Sequence, residues 1–163
     1  MRRLVRELVL RGGQKRLAYI GFSAVKDVSD QRCRGIAAQC ADMGIPFGPK
    51  DVFSLKSLSS VDAALIDKII SRSYDGVLCF NDNFAVAFAM AALRRNIPVP
   101  QRIALTGFDD TSIQALMGFK IDTVRLSSHR LGSGASDRQT STWSAPAALC
   151  SRVECILKIG YYS

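Results

Sequence analysis

Four short, largely apolar runs separated by segments of helical periodicity constrain this chain more than any other feature. The runs are Leu17-Ala18-Tyr19-Ile20-Gly21, Asp51 to Leu55, Gly76-Val77-Leu78-Cys79-Phe80 and Ile103-Ala104-Leu105-Thr106-Gly107-Phe108. Runs of this length bounded by turn residues read as strands of a buried sheet. After the first, Ser29 or Asp30 can cap a helix carrying Ile36, Ala37, Cys40 and Met43, which stops at Gly44. After the second, Ser59 or Ser60 can cap a helix carrying Ala63, Leu65, Ile66, Ile69 and Ile70. An Ala-rich helix over 83–94 follows the third, and Pro98 and Pro100 break the chain before the fourth. Leu4, Val5, Leu8 and Val9 place an amphipathic helix over 2–11, stopped by Gly12-Gly13, and Ile121 to Leu126 is a candidate fifth strand. Strands alternating with helices require right-handed crossovers, hence a doubly wound α/β fold: a parallel sheet of about five strands with helices on both faces.

In such a sheet ligands bind beyond the carboxyl ends of the strands. The polar residues there come from three loops: Arg32, in Ser29-x-x-Arg32-x-x-Gly35, then Asn81-Asp82, then Asp109-Asp110. A guanidinium, an amide and a carboxylate at one rim can hydrogen-bond the hydroxyls of a small polar molecule. Each also has a bland reading, since Asn81 and Asp82 can cap the next helix and Asp109-Asp110 can form an Asx-turn.

Composition removes several classes. At 163 residues with 48% hydrophobic and 22% charged, one packed domain is expected. The longest apolar stretch, within 83–93, is about half of what spanning a bilayer takes. Arg6 and Glu7 interrupt the first apolar run and no small-residue cleavage site follows, so no export signal is read. Five cysteines, an odd number, suit reduced structural thiols and a cytoplasmic setting. The net charge of +8 invites a nucleic-acid reading, yet Arg2, Arg3, Arg6, Arg11, Lys15 and Arg16 crowd the first helix and its exit without interleaved aromatics. A solvated basic face is the reading adopted.

The residues so far resemble the effector domain of the lactose and galactose repressor family (LacI/GalR), whose fold is shared with periplasmic sugar-binding proteins. Four segments carry the likeness: Gly13 to Gly21; Arg32-x-x-Gly35 running to Gly44-Ile45; Tyr74-Asp75-Gly76-Val77-Leu78-Cys79-Phe80-Asn81-Asp82; and Ile97-Pro98-Val99-Pro100-Gln101-Arg102 through Gly107-Phe108-Asp109-Asp110, continued by Thr123-Val124-Arg125. The resemblance implies a Rossmann-like, periplasmic-binding-protein type I lobe over 1–132. It implies that Arg32, Asn81 and Asp109 hold a sugar or related small effector, with no cofactor. It further implies two hinged lobes, a homodimer, and DNA contact only through a helix-turn-helix module. That module and the first lobe are absent from this sequence. Residues 133–163, opening on the Ser- and Thr-rich stretch Ser133 to Ser144, depart from the family's Ala- and Leu-rich helix; a frameshifted or truncated tail is expected, with Ala147, Leu149, Val153, Ile156 and Leu157 available for a short terminal helix.

Other readings are weaker on the residues. His129 is the only histidine and has no nucleophile at a useful spacing, and Cys150 and Cys155 lack a zinc-site partner pair, so neither catalysis nor a metal site is expected. Asp109-Asp110 lacks the matching acid after strand one that a receiver-like cation pocket needs. A transport-type sugar-binding protein of the same fold, and a non-functional fragment, remain the alternatives to a transcription-regulator module. Val86, Phe88, Met90, Leu116 and Met117 are candidate interface residues if exposed, and core residues otherwise.

Overall fold

The computed structural model of the protein describes residues 1–113, 121–126 and 155–158. The element order is α1 (Arg2–Gly12), β1 (Leu17–Phe22), α2 (Lys26–Asp42), β2 (Val52–Leu55), α3 (Ala63–Ser71), β3 (Gly76–Cys79), α4 (Asp82–Leu93), β4 (Ala104–Thr106), β5 (Thr123–Leu126) and β6 (Cys155–Lys158). Strands β2-β1-β3-β4 form one sheet, every neighbouring pair parallel. The strand order reverses at β1, which is the doubly wound arrangement expected from the alternating pattern.

The period of two along each strand divides the core. Ala18, Ile20, Val77, Cys79 and Leu105 point to one face, where they meet Leu65, Ile66 and Ile69 of α3 and Phe84, Ala85, Phe88 and Ala92 of α4. Leu17, Tyr19, Leu78 and Ala104 point to the other, against Leu4, Val5 and Leu8 of α1 and Ile36 and Cys40 of α2. Both faces being covered explains why these strands read as apolar runs rather than alternations.

The turns follow from local chemistry. Gly13 takes φ 69°, ψ 14° and closes α1, its N–H donating to the Val9 carbonyl while Gln14 N–H donates to Leu8. The Asp75 carboxylate accepts from the backbone N–H of Lys15 (2.9 Å) and Arg16 (2.8 Å), pinning the start of β1 beside the start of β3.

Four expectations are corrected. Helix α2 begins at Lys26, not at a Ser29 or Asp30 cap; Ser29 lies inside it, buried, where its hydroxyl accepts from Phe22 N–H (3.1 Å) and pairs with the Tyr19 hydroxyl (3.1 Å). Asp62, rather than Ser59 or Ser60, caps α3 by accepting from Leu65 N–H at 2.9 Å. The fifth strand forms but touches β4 through one parallel bridge, Thr106 to Asp122, and pairs antiparallel with β6 instead of extending the ladder. Residues 155–158 are that partner strand, not part of a terminal helix, because β5 presents an edge whose open backbone groups they satisfy. The remainder of the expected tail, with Cys150, lies outside the described residues. Among the described residues no helix is long and apolar enough to cross a membrane.

Candidate functional site

At the carboxyl end of β3, Phe80 leaves the sheet with its N–H on the Ile20 carbonyl, and Asn81 follows as the N-cap of α4. Arg32 reaches this rim from α2. Its guanidinium lies over the Phe80 ring at 4.3 Å and the Phe108 ring at 4.0 Å, so it is held between two aromatic residues. One arm donates to the Phe80 carbonyl and the other to Asp109 Oδ1 at 3.2 Å. The Arg32 side chain is 14% exposed and that of Asp109 38%, so the cation is largely desolvated while one edge of its carboxylate partner faces solvent.

Asp109 is set by the chain around it. It has φ 91° and Asp110 φ 51°, left-handed values that non-glycine residues adopt at a cost of about 1–3 kcal/mol where the surroundings impose them. The surroundings here are β5: Asp109 N–H donates to the Val124 carbonyl (3.0 Å) and Asp110 N–H to Thr123 Oγ1 (3.2 Å). Asn81 makes the capping bond that its bland reading foresaw, accepting from Phe84 N–H at 3.2 Å. That bond uses its carbonyl oxygen and not its amide donors. The structure thus brings Arg32 and Asp109 into contact and places Asn81 on the residue after the carbonyl that Arg32 grips.

Asp82 carries more of the site than a capping role suggests. It is fully buried, and its carboxylate accepts from Thr123 Oγ1 (2.7 Å), Thr111 N–H (2.6 Å) and Thr111 Oγ1 (3.2 Å). It therefore ties the start of α4 to the loop bearing Asp109 and to β5. Burial pushes its pKa above 3.8, the three hydrogen bonds oppose that rise, and the charge of Asp109 adds to it. Gly107 is the complement of this residue, since a Cβ there would lie 2.0 Å from Asp82 Oδ1 and 3.0 Å from Asp82 Cα. No local sequence signal marks the tie, because its partners are 29 and 41 residues away.

Phe22, at the end of β1, was also missed. It packs its ring 5.7 Å from Phe80 and 5.3 Å from Phe84 and is half-buried beside the rim, an aromatic placement that its position at a strand's carboxyl end could have flagged. Val86 is 3% exposed and Phe88 fully buried, so both belong to the core and the interface expectation for Val86 is corrected; Met90 is partly buried against the same core. Met117, Leu116 and His129 lie outside the described residues. Among the described residues no group of three potential metal ligands occurs. The arrangement offers fixed donors and an open carboxylate edge to a hydroxyl-bearing molecule, and pairs no nucleophile with a base among the described residues.

Comparison with known proteins places the fold. Residues 5–148 match the family model of the periplasmic binding protein-like domain. The chain is similar to the HTH-type transcriptional repressor PurR of Aliivibrio fischeri (strain MJ11), 24% identical over 131 residues, which are 78% of this chain and 39% of that protein. It is 26% identical to the ribose operon repressor of Bacillus subtilis, covering 82% of this chain and 41% of that one, and 28% identical to the transcriptional regulator GalR of Salmonella typhimurium, covering 72% and 35%. In fold it is similar to a sugar-binding LacI-family transcriptional regulator from Escherichia coli solved with phosphate, with a TM-score of 0.68 at 22% identity over 77% of this chain and 45% of that one. The Escherichia coli repressor ascG gives a TM-score of 0.67 at 24% identity, over 77% and 46%. The chain spans less than half the length of each of these proteins.

Proposed function

Because the chain belongs to the periplasmic binding protein-like domain family, we propose that it is the effector-sensing lobe of a LacI-type transcriptional regulator, and that it takes a sugar-like molecule at the rim of Arg32, Asn81 and Asp109. The observation that carries this reading is the Arg32 guanidinium clamped between Phe80 and Phe108 beside the open edge of Asp109. A side chain fixed before the ligand arrives loses little further freedom on binding, so its remaining N–H donors act at low entropic cost. Hydrogen bonds to charged groups contribute about 1.5–3 kcal/mol each, and a polyol hydroxyl can accept from Arg32 while donating to Asp109. The names of the relatives, a ribose operon repressor among them, support a sugar-like class and a role in transcription. No catalytic step belongs to this proposal. In it the protein works in the cytoplasm as a homodimer, and reaches DNA only through a helix-turn-helix module outside this sequence.

Calorimetry of the chain against a panel of pentoses, hexoses and purines tests the reading, with Asp109→Ala as control. Binding of Kd about 1 mM or tighter that Asp109→Ala weakens by at least about tenfold is the expected result. Silence across the panel in a folded protein would overturn it in favour of a fragment without an independent sensing function.

A further inference from the structure

The opposite edge of the sheet carries a second concavity, of about 690 Å³, lined by Arg16, Lys50, Asp51, Arg72, Ser73 and Tyr74 among others. Arg16 immediately precedes β1, Asp51 immediately precedes β2 and Tyr74 comes two residues before β3. The cavity is therefore at the amino ends of the strands. The six residues of β1 separate it from the Arg32 rim by about 20 Å.

Three cations converge there and none makes a salt bridge among the described residues. Two are held in place. Arg16 donates through Nη2 to the Arg72 carbonyl (3.1 Å) and lies over the Tyr74 ring at 5.7 Å. Arg72 donates through Nη1 to the Lys50 carbonyl (2.8 Å) and lies over the Phe53 ring at 5.8 Å. Each guanidinium has five N–H donors; Arg16 commits one in these contacts and Arg72 two, the second to the Tyr74 hydroxyl. The one carboxylate in the lining, Asp51, is buried and accepts from the Tyr74 hydroxyl (2.7 Å) and from Gly48 N–H (2.7 Å), and its single negative charge leaves the three cations in excess.

We propose that this cavity is a second ligand site, separate from the effector rim, for a small phosphate-bearing anion. Planar guanidinium forks match phosphate oxygens two at a time, and Lys50 adds a mobile charge on the exposed side. The volume is that of a small-molecule site. A duplex would instead need cations spread along a stripe that follows its phosphates, whereas these three meet in one hollow.

The full chain is titrated with inorganic phosphate at low salt and followed through backbone amide shifts. The expected result is a Kd on the order of 1 mM, with the shifts centred on residues 16, 50 and 72–74. Arg16→Gln and Arg72→Gln each weaken binding by at least about tenfold, the loss of one charge-assisted hydrogen bond. Arg72→Lys also weakens it, since the charge remains and the fork is lost. Asp109→Ala, which removes a rim residue, leaves phosphate binding unchanged, so failure here and failure at the rim are read separately. If an Arg72 variant does not fold, Lys50→Ala replaces it, because only the backbone carbonyl of Lys50 is engaged in the packing. Absence of shifts at tens of millimolar phosphate, shifts centred on Arg32, or binding indifferent to these substitutions would overturn the proposal. So would a short duplex DNA that binds at these residues when inorganic phosphate does not.

Discussion

Asp82 is the residue on which the rim of Arg32, Asn81 and Asp109 turns. Its folded pKa is raised above 3.8, chiefly by burial, so folding favours its protonated form. The stability this contributes is fully present below the ordinary carboxylate value and is lost as pH rises through the folded value. Asp82→Asn removes that titration and leaves a constant offset from its poorer acceptor set. The unfolding free energy of the wild type minus that of Asp82→Asn is therefore expected to fall as pH rises from 3.8, in paired denaturant titrations; a flat or rising difference would contradict the role assigned to burial. The residues of the rim were legible in part. Asn81 and Asp109 stand out because they closely follow buried strands, at the end of a doubly wound sheet where ligands bind, whereas Arg32, read on the segment after β1, reaches the rim from within α2. The linkage of Asp82 to Thr111 and Thr123 did not stand out, since hydrogen bonds across 29 and 41 residues leave no periodic trace.

Helices were easier to locate than their first residues. Apolar spacing fixed the faces of α1 and α3, because a helix must bury one stripe. The cap of α3 went to Asp62 rather than Ser59 or Ser60, which instead lie in a 3-10 turn at Leu58–Ser60 and hydrogen-bond the Ser57 hydroxyl. Asp62→Ala should cost about 1 kcal/mol of stability, the usual worth of an N-cap, with no change in ligand binding. Urea denaturation of Asp62→Ala beside Ser59→Ala checks the assignment: Ser59→Ala should be close to neutral, and the reverse order would return the cap to the serine. The start of α2 was misplaced for a related reason. Ser29 has the composition of a cap, yet its hydroxyl finds Tyr19 and Phe22 across the packed interface instead.

Across the molecule the sheet separates two apolar layers, and two thiols report on them. Cys79 lies in the layer of α3 and α4, Cys40 in that of α1 and α2, and both are fully buried. Burial pushes the Cys40 thiol up to about 11 and Cys79 well above its ordinary range, so neither forms a thiolate at neutral pH in the folded chain. Cys33 is half-buried and less shifted. Labelling with a thiol reagent should modify Cys33 early and Cys40 and Cys79 together, at the rate of global unfolding. Separate rates for the last two would mean that the two layers open independently.

The amino-acid sequence by itself determined the doubly wound class, the β1, β3 and β4 runs, the apolar faces and three residues of the rim. Those properties are written in periodicity and in what may follow a buried strand, which are local. Tertiary structure alone decided that Arg32 is clamped between Phe80 and Phe108, that Asp82 locks the loop of Asp109, and that Val86 faces the core. It also decided that β5 takes β6 as its partner and that Arg16, Lys50 and Arg72 share one hollow. Each of these depends on side chains far apart in the chain meeting in space, and distance along the chain carries no signal of which groups a fold will bring together.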